Sequence, residues 1–542
     1  MRSRLLAWTA TAVLLSLTGA GTAMADAGAT QAVGQTAGNA QTADADASST
    51  QVQPTNRNIS VRVLSPGDSG AVSQSNESEA AAAAANANAT GQAAQQSQPA
   101  AGTQAVGQAA HSSQSADADA ASKQIKPTNQ NISVRVLSEG DDGAVEQENS
   151  SSAAALAANA NKTAQEAQQS GGGDDDGGGT QAAGQKADNE QNADADATSV
   201  QDRPENVNAP VRVLSEGDGG DVEQENSSKA KSAALNANAT KQAATQNQGG
   251  GEETSEGKAP EAASAPGEDE GVKQDKGGED HGAPAIQAVG QKAASDQDAE
   301  SEATSKQAGA KNVNAPVRVK SHGDQGDAEQ SNSSKAGSLA ANKNATGQLA
   351  KQAQGERDGG GPAVQAIGQL NKSEQDADSE ATSRQVGAKN VNAPVGALTR
   401  GRGGDVEQSN ESKAGSIAAN RNATKQAAAQ WLGGDDDSVA IQAIGQAAFN
   451  DQDADAEATS VQLWPANVNA PVATLGGHGD CTGGEEDRKD AHSAEGNDAE
   501  GCHATGENHE GGGEGSVEQD NTSAALSAGL NANWTGQFAV QG

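Results

Sequence analysis

The 542-residue chain contains no tyrosine, two phenylalanines and four tryptophans, one of them close to the N-terminus. Its apolar content is mostly alanine. Large apolar side chains build ordinary cores, each contributing roughly 1.5–3 kcal/mol on burial, so a conventional globular interior is excluded for most of the chain. Basic residues are also scarce, with 36 Lys and Arg against 74 Asp and Glu and a formal charge of −38. Nucleic-acid binding calls for clustered Lys and Arg, and none are clustered. Beyond the N-terminus no stretch is long and apolar enough to span a bilayer, so the chain does not read as a transmembrane protein. No G-x-S-x-G phrase with a partner histidine occurs. The paired acids lie in polar alternations rather than dry pockets, and no enzyme is expected.

What is present is repetition. A Q-A-[VAI]-G-Q phrase opens at Gln31, Gln104, Gln181, Gln287, Gln365 and Gln442, in steps of 73, 77, 106, 78 and 77 residues. These divide the chain into repeats 31–100, 104–169, 181–248, 287–354, 365–432 and 442–542. Linkers rich in Gly and Asp or Glu fill 170–180 and 249–286 and read as disordered spacers with little packing potential. They allow the repeats to be separate beads.

Each repeat closes with a tract constrained at every second residue. From Gln408 this reads Gln408, Asn410, Ser412, Ala414, Ser416, Ala418, Asn420, Asn422, Thr424, Gln426. The series from Gln224 is the same: Gln224, Asn226, Ser228, Ala230, Ser232, Ala234, Asn236, Asn238, Thr240, Gln242. The intervening residues vary freely. Alternate residues share one face of a strand but step about 200° around a helix, so the rhythm predicts strands, although Ala with Glu and Lys favours helix by propensity. A second alternation, Gln191–Gln201, sets Gln, Ala and Ser on one face and Asp194 and Asp196 on the other. An apolar strand candidate, Asn206–Leu214, and a Gly/Asp turn at Ser215–Asp221 lie between the two. At 3.3 Å per residue the nineteen-residue tract would reach about 60 Å, longer than most strands. A bend near Asn-x-Asn and four or five short strands per repeat are therefore expected.

The fold class is all-β repeat, a β-solenoid or stacked short strands, in which Gln stacks on Gln and Asn on Asn. Composition alone leaves a largely disordered or Ala-rich helical chain as the alternative.

The start has the form of a secretory signal, residues 1–25: Arg2 and Arg4, the apolar run Leu5–Leu17, and Ala23-Met24-Ala25 as the cleavage site. It implies secretion. The sixth repeat holds most of the aromatic content, with Ile441, Ile444, Phe449, Trp464, Leu526, Leu530, Trp534 and Phe538. Terminal solenoid repeats are commonly caps, and a cap is expected here, with a docking or nucleating end as the alternative. The same repeat carries an acidic insert, 476–515, with Cys481 and Cys502 and with His478, His492, His503 and His509. In an exported protein the cysteines read as a disulfide. The histidines could ligate a divalent metal, but no C-x-x-C or helical H-x-x-x-H spacing supports a defined site, and no cofactor is assigned. Asn-x-Ser/Thr sequons such as Asn76 and Asn533 fall on the ladder face, where no glycan would fit.

Gln, Asn and Ser at fixed spacing among small residues resemble the curlin repeats of secreted bacterial functional amyloid. The Asn-Val-Asn-Ala-Pro-Val phrase at Asn390 and Asn467 resembles the apolar segments of chaplins more weakly. Curlin units are much shorter, and their Q-x-G-x-x-N phrase is absent. The resemblance implies a β-solenoid or cross-β structural protein of the bacterial cell surface or matrix. Its partners would be copies of itself or envelope components. An extracellular adhesin, or an acidic metal binder using the His/Cys insert, is the alternative.

Overall fold

A computed structural model describes residues 30–98, 102–171, 179–248, 285–355, 362–433, 439–474 and 515–542, and by backbone alone 12–17 and 21–24. Every regular element among them is a β-strand. Each repeat forms one coil of a solenoid. A coil has a first long strand, a short arm, a turn, and a second long strand running back across the first.

The first long strands, Thr30–Val52, Thr103–Ile125, Thr180–Asp202, Ala285–Ala308, Ala363–Val386 and Ala440–Leu463, make a six-stranded parallel sheet in repeat order. The second long strands are Val72–Gln98, Val145–Gly171, Val222–Gln248, Ala328–Gln354, Val406–Leu432 and Val517–Gln541, again parallel and in order. The arms make a third sheet. Two arms are single strands, Thr55–Val63 and Thr128–Val136. The later four are broken in two, as in Glu205–Asn208 and Val211–Val213, with Pro210 in the gap because proline cannot donate to the ladder.

Register follows the repeats residue for residue, Gln224 beside Gln330 and Asn226 beside Asn332 through to Gln248 beside Gln354. Burial alternates with period two along every long strand between the end coils. The two long sheets face each other across a layer of alanine and amides. Ala118, Ala157, Ala193, Ala195, Ala234, Ala299 and Ala340 are fully buried there. Methyl-sized side chains let the sheets approach closely, which replaces bulk with contact area.

Two expectations are corrected. The alternating tract does not bend at Asn236-Ala237-Asn238; the strand is unbroken over 27 residues, Val222–Gln248. Side-chain ladders stabilise extended sheets that would otherwise curl, and Asn236 and Asn238 themselves form such ladders. Nor are the repeats beads. Val222–Gln248 pairs along its whole length with Ala328–Gln354, on either side of the long linker. Loop-closure cost rises only about 0.6 kcal/mol per doubling of length, so a long linker does little to oppose a complete ladder.

Each coil turns a first corner in left-handed backbone, and the first five coils turn a second. At the first stand Gln53, Lys126, Arg203, Gly309, Gly387 and Trp464, with φ of 50–64°. At the second stand Leu64, Leu137, Leu214, Lys320 and Leu398. The following turn needs glycine for space. Gly140, Gly217, Gly323 and Gly401 have φ of 105–141°, and a Cβ on any of them would strike the backbone of the turn one coil below. Aspartate carboxylates tie these turns together: Asp218 N–H donates to Asp141 Oδ1 at 2.8 Å, and Asp324 N–H to Asp218 Oδ1 at 2.8 Å. The Gly/Asp phrases thus serve the turns.

The described residues of the sixth repeat, 442–474 and 515–542, form an ordinary coil at the end of the stack rather than a lid folded over it. Phe449, Trp464, Leu526, Leu530, Trp534 and Phe538 point outward and are 56–78% exposed. Only Ile444, at an inward position, packs on the interior.

Candidate functional site

The polar interior is the candidate site. Each predicted ladder residue falls inside it, and the amide of every predicted Gln and Asn meets the same residue type one coil away. Gln224 Nε2 donates to Gln147 Oε1 at 2.8 Å, and Gln330 Nε2 to Gln224 Oε1 at 2.7 Å. Gln242 donates to Gln165 and accepts from Gln348 at 2.8 and 2.9 Å. Gln408 and Gln426 donate to Gln330 and Gln348, both at 2.7 Å. Asn226, Asn236 and Asn238 donate to Asn332, Asn342 and Asn344 at 2.9–3.0 Å. Asn410 and Asn422 donate to Asn521 and Asn533, and Asn420 accepts from Asn342.

The ladders have polarity. Every Gln column donates toward the preceding coil, whereas every Asn column donates toward the following one. Their aligned amide dipoles therefore oppose, which limits the field that parallel stacking would otherwise build up. In the coils between the ends, the second hydrogen of a ladder Gln amide goes across the sandwich: Gln242 Nε2 to the Lys292 carbonyl at 3.0 Å, Gln201 Nε2 to the Asn149 carbonyl at 2.8 Å. Both donors of a buried amide are thereby satisfied, the condition for burying it without penalty.

Serine links the two sheets. Ser78, Ser122, Ser151, Ser199, Ser228, Ser305, Ser334, Ser383 and Ser412 form a zigzag in which each hydroxyl lies 2.9–3.1 Å from the next. Ser228, singled out by its place in the rhythm, is one step of it. Thr240 accepts from Asn189 Nδ2 at 2.8 Å. Asn76 of the Asn76-Glu77-Ser78 sequon is buried and bonded to Asn149 at 2.9 Å.

The outer face of the first sheet is acidic in columns. Asp44, Asp117, Asp194, Glu300, Asp378 and Asp455 stand in register, as do Asp46, Asp119, Asp196, Glu302, Glu380 and Glu457. Partial burial, and then the neighbouring carboxylates, push Asp194 and Asp196 up to about 6. Asp117, Asp298 and Asp376 are raised for the same reasons.

The two ends of the stack expose strand edges. Among the described residues, Val517–Gln541 and Ala440–Leu463 pair only with the fifth coil. At the other end Thr30–Val52 pairs only with the second coil, while Val72–Gln98 also carries the N-terminal segments Ala12–Leu17 and Gly21–Met24 along part of its free side. The end edges match. Gln519, Asn521, Ser523, Asn531, Asn533, Thr535 and Gln537 occupy the ladder positions of Gln74, Asn76, Ser78, Asn86, Asn88, Thr90 and Gln92.

Cys481, Cys502, His478, His492, His503 and His509 lie outside the described residues. Among the described residues no three His, Cys, Asp or Glu side chains are grouped to hold a metal, and no helix is long and apolar enough to cross a membrane.

Comparison with protein-family models, with curated proteins and with solved structures finds no match.

Sequence reasoning missed the interior of the arm. Its inward face carries no valine. It carries Asn129, Asn131, Ser133 and Arg135, while Ile132, Val134 and Val136 face outward. Following the two-residue rhythm onward from Asn129 would have found this, since it reaches Arg135 three steps later.

Proposed function

We propose that the chain is a secreted, non-enzymatic structural protein of the bacterial surface or matrix, which lengthens by adding copies end to end. The observation that supports this best is the match between the two exposed edges. A sixth coil laid on the first coil of another copy would continue every column in the same register. Gln519, Asn521 and Asn533 would meet Gln74, Asn76 and Asn88 just as Gln408, Asn410 and Asn422 meet Gln330, Asn332 and Asn344. Unpaired edges template such addition, and backbone pairing with amide ladders makes it persistent. The resemblance to curlin repeats supports the same reading.

The leader gives the assembly a place to be controlled. Ala12–Leu17 and Gly21–Met24 pair with the first-coil edge that a second copy would use. Cleavage after Ala25 would clear that edge on export.

The test is assembly of chain 26–542. Fibres with a meridional spacing of about 4.8 Å are expected by electron microscopy and diffraction. The end-coil variant Asn521→Lys/Asn533→Lys should fold with the same circular dichroism spectrum yet remain monomeric. A wild-type chain that stays monomeric under all conditions, or a variant that polymerises normally, would overturn the proposal.

A further inference from the structure

The arm and turn enclose a cavity of about 300 Å³ that runs along the stack. One wall is apolar, with Val145, Val222, Ala328 and Val406. The other carries Arg62, Arg212 and Arg318, with Arg135 between the first two in the same column. Arg135, Arg212 and Arg318 are 0%, 2% and 5% exposed. Guanidinium remains charged in proteins, so this is a buried file of like charges within a strongly acidic chain.

One carboxylate answers it. Asp142 Oδ1 lies 3.3 Å from Arg135 Nη1, and its Oδ2 lies 3.7 Å from Arg212 Nε. At that position the other turns have Ser69, Gly219, Gln325 and Gly403. The neighbouring aspartates Asp68, Asp141, Asp218 and Asp324 lie on the exposed side and accept backbone N–H groups. Each arginine spends one nitrogen on turn carbonyls: Arg135 Nη2 on Gly67 and Glu139, Arg212 Nη2 on Gly140 and Glu216, Arg318 Nη2 on Gly323. Several of the other fork nitrogens are unmatched. Arg135 Nε, Arg212 Nε and Nη1, and Arg318 Nε are buried without a hydrogen-bond partner, as are Ser69 Oγ and Ser133 Oγ on the same cavity.

Buried charges without counter-ions are strongly unfavourable. Unpartnered donors converging on a cavity supply the chemistry an anion needs, and arginine forks suit tetrahedral oxyanions. We infer that this cavity is a binding site for a small inorganic oxyanion of the phosphate or sulfate class, held by Arg212 and Arg318 with Ser133. Asp142 acts as the built-in competitor that neutralises part of the file. The site lies inside the coils and does not depend on end-to-end assembly.

The probe is inorganic phosphate added to the full chain, followed by thermal melting and by ³¹P line broadening, with chloride at matched ionic strength as control. Phosphate is expected to raise the melting temperature where chloride does not, and sulfate to compete. Asp142→Asn removes the competitor. It should lower the melting temperature in anion-free buffer and tighten phosphate binding by about tenfold or more, equivalent to about 1.4 kcal/mol. Arg212→Met/Arg318→Met should abolish the phosphate effect; shortening a file of like charges makes loss of the fold an unexpected outcome, and Asp142→Asn decides the matter if it occurs. Equal effects of phosphate and chloride, or unchanged phosphate affinity in Asp142→Asn, would overturn the assignment.

Discussion

Asn226→Asp is the sharpest perturbation of the interior. Asn226 is fully buried. It accepts from Asn149 Nδ2 at 3.0 Å and donates to Asn332 Oδ1 at 2.9 Å and to Asn312 Oδ1 at 2.8 Å. Aspartate has the same shape and cannot donate when ionised. It would place a carboxylate against two carbonyl oxygens that lose their donor. An uncompensated buried charge costs about 3–5 kcal/mol. Asn226→Ala removes the same donor without adding charge; with a cavity and one fewer partner on each neighbour, about 2–4 kcal/mol is expected. The two differ in pH dependence. Burial raises the folded-state pKa of the new carboxyl above its unfolded value near 4, so its penalty is small below about pH 4 and grows as pH rises. Guanidinium unfolding followed by far-UV circular dichroism, with hydrogen exchange over Val222–Gln248, reads both. An Asn226→Asp chain within about 0.5 kcal/mol of wild type at pH 7, or one whose deficit is the same at pH 4, would refute the idea that the amides, rather than shape alone, hold the coils in register.

Mild acid should stabilise the solenoid. Asp194 and Asp196 titrate at about 6 in the fold, above the ordinary carboxylate value of about 3.9. The native state therefore binds more protons between these limits, and melting temperature should rise as pH falls from about 6.5 to 4.5; 0.5 M NaCl at pH 7 should reproduce part of the gain by screening. A melting temperature that falls over that interval would contradict the acidic columns. Gly217→Ala should cost at least ~1–3 kcal/mol, because its φ of 116° disfavours a side chain and the Gly140 carbonyl occupies the Cβ position; chemical denaturation measures it. Two alanines three residues apart should behave oppositely: Ala234→Val, inward, overpacks by about 1–3 kcal/mol, whereas Ala237→Lys, outward, stays within about 0.5 kcal/mol.

The alternation was legible because its two faces evolve under different demands. An inward Asn410 must match Asn332 and Asn521, while outward Glu411, between Lys335 and Lys413, faces solvent and nearby charges. The period of the constraint outweighed alanine's helical propensity for that reason. Strand length was not legible: the limit on ordinary strands comes from accumulated twist, and nothing local to Asn236 says that a ladder on both sides will oppose it. Nor could the 106-residue step reveal that Val222–Gln248 stacks directly on Ala328–Gln354, since pairing across a linker is a non-local gain. The arm misled in another way. Ile132, Val134 and Val136 attract attention as strand formers, yet the side that faces in is set by Asn129 and Asn131, which continue the amide columns into Asn206 and Asn208 at 2.9 and 2.8 Å. Arg135 is then carried inward by register. The direction in which each amide column donates has no counterpart in the sequence.

The central claim is that successive repeats lie parallel and in register with alternate residues inside. Ala237 and Lys343 are outward Cα partners on adjacent coils, about 4.8 Å apart by sheet geometry and within the 4.4–6.8 Å that a disulfide spans. With Cys481 and Cys502 replaced by serine, Ala237→Cys/Lys343→Cys should form an intramolecular disulfide under mild oxidation. Ala237→Cys/Asn342→Cys, whose two side chains point to opposite faces, should not. Failure of the first pair to cross-link, or equal cross-linking of both, would contradict the account.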